Sequence, residues 1–223
     1  MPRTAHGEAG TGADRRSGFT LLEIAIVLLV VGLLLGSGIT SYTAQRDNSQ
    51  RQRGQVHLDS IRQALIGYVI SYGRLPCPNT NGDGQEGDCT ALIGLLPWRD
   101  LGVQRLDPHG NHFTYHASAN YTVGIALPTV GNLDVYDNQY DSANPGDHLL
   151  AADVPVVVVS HGRNGRGRYQ PNTIPLTRMD LPVGNELENA NDDTIYLQGA
   201  GDDLLLWLSP AELKLPLQQA GRI

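Results

Sequence analysis

Glu23 is the side chain most in need of an explanation, because it is the only charge between Arg16 and Arg46 and it interrupts an apolar run that begins at Phe19. Placing a carboxylate at membrane depth costs roughly 3 kcal/mol on insertion scales, so such a residue normally has a partner or a task. A cut after Gly18 would supply the partner: Phe19 would become a free ammonium four residues before Glu23. At about 4 Å and an effective dielectric near 20 their attraction is worth roughly 4 kcal/mol, enough to offset the burial. The pairing could form within one molecule or between neighbours.

The next residues with chemistry to offer are Cys77 and Cys89, twelve positions apart. In an oxidising compartment they would most simply pair, and closing a loop of that size stabilises by about 3 kcal/mol in the chain-entropy picture. Between them Asn79, Asn81 and Asp83, followed by Gly84, match the first half of a calcium loop, where alternate oxygens converge around a turn that glycine permits. Thr90 stands where the bidentate Glu should be, though Glu86 or Asp88 could substitute in a different geometry. The competing reading is a disulfide-closed turn rich in turn-forming residues.

Enzyme chemistry finds little support. Of His109, His112 and His116, a strand would place only His112 and His116 on one face, with no Asp or Cys at metal spacing nearby, so surface histidines are expected. Ser160 and His161 are adjacent and would point to opposite faces of a strand, a poor nucleophile and base pair. The Gly162–Arg168 segment lacks the Gly-Lys-Ser/Thr ending of a phosphate loop and reads as a solvated turn, with anion or DNA contact the lesser alternative. No catalytic set is expected.

Composition narrows the class further. The 223 residues carry 16 Lys+Arg against 23 Asp+Glu, a net charge of -7, and Met1–Gly18 holds Arg3, Arg15 and Arg16 against Glu8 and Asp14, so removing it leaves the chain more acidic still. A general nucleic-acid binder needs a basic surface, so no specific nucleic acid is expected. Residues 1–14 are rich in Gly, Ala and Thr and, with the two arginines, read as a cytoplasmic targeting segment. Positive residues stay inside, which places everything after the apolar run outside the membrane. No A-x-A cleavage site follows that run, so it is expected to be retained.

These residues must be positioned by a small number of elements. Residues 19–45 are long enough to span a bilayer as a helix, and Gly32 and Gly36 form a small-xxx-small pair that favours close helix packing in lipid, although glycine also softens a helix. Further on, Leu58, Ile61, Leu65, Tyr68, Val69 and Tyr72 recur at spacings of three and four, an amphipathic continuation. Gly73–Pro78 ends it, and twelve of the thirteen prolines lie at or beyond Pro76, marking a change of architecture. After a short helical turn carrying Trp98, strands are expected over His112–Ala117, Tyr121–Leu127 and Val154–Val159. In the tail, Ser209, Pro210 and Glu212 form a capping box with proline at the first helical position, and Pro216 should end or kink that helix. Leu213, Leu215 and Leu217 would then be its docking contacts. The fold class is α+β: a long N-terminal helix packed on a small antiparallel sheet domain.

At the N-terminal junction the chain resembles a known family. Arg15-Arg16-Ser17-Gly18 followed by Phe19-Thr20-Leu21-Leu22-Glu23 is similar to the class III leader of type IV pilins and type II secretion pseudopilins. The resemblance implies cleavage between Gly18 and Phe19 by a prepilin peptidase, N-methylation of Phe19, and a role for Glu23 in registering subunits during filament assembly. Asp107-Pro108-His109-Gly110, Ser160-His161-Gly162-Arg163-Asn164-Gly165 and Asn191-Asp192-Asp193-Thr194-Ile195 follow the loop order of the major pseudopilin, a family that holds calcium in the last two loops. Asp192 and Asp193 are therefore calcium candidates, although Asn164 replaces the usual Asp and three arginines surround it. The implied organisation is a removed leader over 1–18, a long helix over 19–73 and a periplasmic domain over 74–223. The implied role is a structural subunit of a pseudopilus or pilus-like filament, with other subunits, the peptidase, an inner-membrane assembly platform and lipid as partners. The alternatives are a minor type IV pilin serving adhesion or DNA uptake, or a signal-anchored periplasmic binding domain. No cofactor is required, and calcium is the one ion the loops suggest.

Overall fold

A computed structural model describes residues 19–223, with the backbone alone described for 35–44 and Pro145; Gly18 and the rest of the leader lie outside the described residues. Helix α1 spans Leu21–Tyr72. The chain divides into two compact units at Arg46/Asp47.

In the first unit the helix exposes its apolar side chains on every side, Leu21, Leu22, Ile24, Leu28 and Leu33 among them. The surroundings of Gly36 lie outside the described residues. Among the described residues no helix is long and apolar enough to cross a membrane; part of the span expected over 19–45 lies outside the described side chains.

In the second unit α1 is amphipathic. Leu58, Ile61, Leu65, Tyr68 and Val69 are buried, as their spacing predicts, whereas Tyr72 is exposed. Leu58, Ile61, Leu65 and Val69 pack on a four-stranded antiparallel sheet of order β1-β2-β5-β9, made of β1 (Ile93–Leu95), β2 (Thr114–Ala117), β5 (Val156–Ser160) and β9 (Leu204–Leu208). Strand β5 is all valine before Ser160 because both its faces are covered: Val156 and Val158 join the helix-side core, while Val157 and Val159 pack on Leu133, Val135 and Tyr196 behind the sheet. Those residues belong to a three-stranded sheet of order β4-β3-β8, with β3 (Leu133–Asp137), β4 (Leu149–Val154) and β8 (Ile195–Gln198). Strands β3 and β8 run parallel, an exception to the expected antiparallel pairing. A short ribbon, β6 (Tyr169–Gln170) with β7 (Thr177–Arg178), completes the sheets.

Two expected strands need correction. Tyr121–Leu127 is not a strand: helix α3 covers Ala119–Val123 and Gly124 ends it. The buried residues there are Tyr121, Thr122 and Ile125, while Val123 and Leu127 are exposed, so burial does not alternate as a strand's would. The apolar run Val154–Val159 belongs to two strands. Pro155, with no N–H to give a ladder, separates the end of β4 from β5.

Helix α2 (Trp98–Leu101) is the expected apolar turn, and helix α4 covers Pro210–Gln219. The capping box at Ser209 and Glu212 is formed, and Glu212 also pairs with Arg62 of α1. Pro216 lies inside α4 and does not end it; Leu213 and Leu217 dock in the core, while Leu215 faces solvent. Lys214 Nζ donates to the carbonyls of Leu127 and Thr129, each at 2.6 Å.

Candidate functional site

In the first unit, Thr20 Oγ1 accepts a hydrogen bond from Glu23 N at 3.2 Å. Thr20 thus caps the helix and Glu23 occupies its third position, where a carboxylate complements the N-terminal partial charge. The Thr-x-x-Glu spacing at Thr20 and Glu23 is a capping-box pattern, a signal present in the sequence itself. Glu23 shares a shallow surface with Phe19, Ile24, Val27 and Leu28, a carboxylate among exposed apolar groups. Adding a Cβ at Gly32 would meet nothing within 4 Å, so this flank of the helix is open to a neighbour.

The polar loops gather in the second unit. Cys77 and Cys89 form a disulfide. Within the loop it closes, Asn79 is buried and its Nδ2 lies 2.9 Å from Asn81 Oδ1, 2.7 Å from Asp83 Oδ1 and 2.6 Å from the Gln85 carbonyl. The half-pattern of alternate oxygens does converge, and an amide nitrogen fills the centre. Gly84, at φ +87° and with the Trp98 ring 2.3 Å from where a Cβ would stand, makes the turn. Asp88 does not join this set; its Oδ1 accepts from Thr90 N and Oγ1. Glu86 is occupied elsewhere, by Arg74, Tyr68 and Cys77 N, and the Arg74 guanidinium beside it holds its carboxyl below the usual range.

Asp107 ties two of the family-like loops together. Its Oδ1 accepts from His109 N and Asn111 N, its Oδ2 accepts from Ser160 Oγ at 2.8 Å, and Asn111 Nδ2 donates to Gly162 O at 2.6 Å. Ser160 and His161 have different partners: Ser160 Oγ bonds Asp107, and His161 Nε2 meets Thr114 Oγ1 at 2.7 Å. The expectation of surface histidines fails for His112 and His116, both buried, because neutral imidazoles are accommodated by single polar partners: Arg105 for His112, and the Tyr196 hydroxyl at 2.7 Å for His116. Burial pulls both rings down to about 4, and the fully buried His161 to about 3.

Asn164 N donates to Asp202 Oδ2 at 2.9 Å and its side-chain amide to Glu186 Oε1 at 2.7 Å. Among the described residues, Glu186, Asp202 and Asp203 form the group whose geometry could hold a metal ion, with ligand atoms within 4.8 Å of one another. Asp202 Oδ1 and Asp203 Oδ1 are buried without a hydrogen-bond partner, and desolvation, with Glu186 and Asp202 adding to it, pushes the Asp203 carboxyl up to about 8. Gly201 permits the approach, since a Cβ there would stand 2.8 Å from the Glu186 carboxyl carbon. No spacing in the sequence joined Glu186 to the Asp202-Asp203 pair.

Asp192 and Asp193 are not brought together on one centre. Asp192 Oδ1 accepts from Arg178 Nε at 2.8 Å, Arg178 Nη2 at 2.6 Å and the Tyr169 hydroxyl at 2.5 Å. Asp193 instead closes its own turn, accepting from Ile195 N and Asn191 Nδ2.

A helix with a prepilin-type start, running into an α+β domain, defines the class of pilin-like subunits. The Prokaryotic N-terminal methylation motif matches residues 14–39, the stretch that carries the resemblance to pilins and pseudopilins. It is similar to the "Type II secretion system core protein G" of Aeromonas hydrophila, 28% identical over 102 residues covering 44% of this chain and 71% of the relative. The protein of the same name from Vibrio cholerae serotype O1 is 24% identical over 138 residues, covering 60% and 86%, and that from Pectobacterium carotovorum subsp. carotovorum is 28% identical over 74 residues, covering 33% and 46%. No solved structure matches the chain.

Proposed function

We propose that this chain is a structural subunit of a type II secretion pseudopilus or a closely related pilus-like filament. It is cut between Gly18 and Phe19 by a prepilin peptidase, methylated at Phe19, and held in the inner membrane by its N-terminal helix with the domain in the periplasm. It is then drawn by an assembly platform into contact with other subunits. The observation that carries this reading is the first unit's helix: an apolar surface exposed on all sides, with one carboxylate four residues from the cleavage junction. A lone globular protein would bury such a surface; lipid before assembly and neighbouring helices after it would cover this one, with Glu23 meeting the Phe19 ammonium of an adjacent subunit and Gly32 and Gly36 allowing close approach. The role needs no cofactor and no catalytic residue.

The test separates processing from assembly. Intact mass of protein purified from membranes should begin at N-methyl-Phe19, and Gly18→Val should abolish that terminus. Glu23→Val should insert normally, since it removes a burial cost of roughly 3 kcal/mol, yet fail to cross-link with neighbouring subunits. Wild-type cross-linking by Glu23→Val would overturn the assigned role of the carboxylate.

A further inference from the structure

The third family-like loop is where a bound cation would be expected from the loop order, and its residues do not fit one. The acceptor oxygen of Asp192 already receives three donors, two of them from a single guanidinium. The Arg178 side chain is 6% exposed, its Cζ stacks 4.2 Å from the Tyr169 ring centre, and its remaining Nη1 donates to Gly167 O. A divalent cation brought to Asp192 would have to displace or repel that buried positive charge.

We propose that Arg178 is a tethered substitute for a loop metal: its guanidinium clamps the Asn191–Ile195 turn to the Gly165–Arg168 loop, so that this pair of loops is closed without calcium. The geometry explains why an arginine does this. One planar group reaches a single carboxylate oxygen through both Nε and Nη2, a backbone carbonyl through Nη1 and an aromatic face through its plane, and so joins three separate groups. It also sits where the Gly165–Arg168 loop meets the residue after strand β7: Gly167 N donates to Met179 O at 2.9 Å and Met179 N donates to Arg168 O at 2.9 Å. Its charge is felt beyond the clamp, at His116, His161 and Tyr196. The inference concerns the second unit alone and does not depend on how the N-terminal helix assembles.

The experiment is amide hydrogen exchange on the full chain in detergent, in EGTA and in millimolar calcium, following the amides of Gly167, Met179 and residues 191–195. In wild type, protection should be the same in both solutions. In Arg178→Gln it should fall by about tenfold or more, because Asp192, the Gly167 carbonyl and the Tyr169 ring lose their shared partner. Arg178→Lys, with a point charge in place of the fork, should recover part of the protection. Two results would overturn the proposal: protection of these amides in wild type that collapses on chelation, or Arg178→Gln protected as well as wild type. Should Arg178→Gln not fold, the calcium independence of wild type still decides, since a loop metal present at about 100 times its Kd would stabilise by about 2.7 kcal/mol.

Discussion

Two stretches of one helix, Leu21–Leu34 and Leu58–Val69, are built from the same apolar residue types and meet opposite surroundings. In the first, Leu28 is 65% exposed and its neighbours are similarly open; in the second, Leu65 is fully buried against the sheet. The difference lies in pattern. The second stretch confines its apolar residues to one stripe, which one sheet face can cover, while the first carries them all round, which no single face can. The second stretch therefore belongs to the domain's core, while the described side chains of the first stay exposed.

The sharpest way to break this comparison is to truncate one leucine in each stretch. Leu65→Ala should destabilise the domain by about 2–5 kcal/mol through the cavity it leaves, read as a lower urea midpoint. Leu28→Ala should leave that midpoint unchanged and lower cross-linking into filaments; a domain that melts earlier in Leu28→Ala would mean that the two stretches share a core after all. Next in size is the covalent loop at the end of the buried stretch. Replacing both Cys77 and Cys89 by alanine should cost about 3 kcal/mol, and freshly isolated protein should show no free thiol on alkylation; full stability without the bond would place the loop's rigidity in Asn79 and Glu86 instead.

The smallest effect is a pH dependence that belongs to the domain and not to the N-terminal stretch. His116 titrates near 4 in the folded protein against 6.5 ordinarily, because burial disfavours its charged form, with Asp192 opposing and Arg178 reinforcing. A folded value below the unfolded one means that its contribution is present above about pH 6.5 and is lost as pH falls towards 4, about 1 kcal/mol of it by pH 6. His112 acts in the same sense, and the raised Asp203 carboxyl in the opposite one, losing its contribution as pH rises. Comparing wild type with His116→Gln isolates the imidazole: the gap between their unfolding midpoints should narrow from pH 8 to pH 5, and a constant gap would count against the buried neutral ring.

Much of this was legible from local pattern. The stripe from Leu58 to Val69, the capping box at Ser209 and Glu212 and the valine strand at the centre of the sheet all follow from periodicity and capping chemistry that act within a few residues. The failures share one cause, contacts between positions far apart in sequence. Tyr121–Leu127 reads as alternating, yet the contacts of Tyr121 with the core decide for a helical turn. Asp192 looks like an ion ligand until Arg178, fourteen residues earlier, is seen to take it. Glu186 has no local pattern that would join it to Asp202 and Asp203. Polar sites assembled across loops are set by tertiary placement, and no residue spacing encodes them.

Lys214 is the only lysine in the chain, and its ammonium is spent on the carbonyls of Leu127 and Thr129. For protein chemistry this makes the domain nearly silent to amine-directed reagents. An acylating label reacts there most readily when the C-terminal helix and the Leu127–Thr129 turn part, so its rate of uptake at Lys214 reports on that local opening at a single site. Mixed subunits in an assembled filament could be timed in the same way, without introducing a foreign probe.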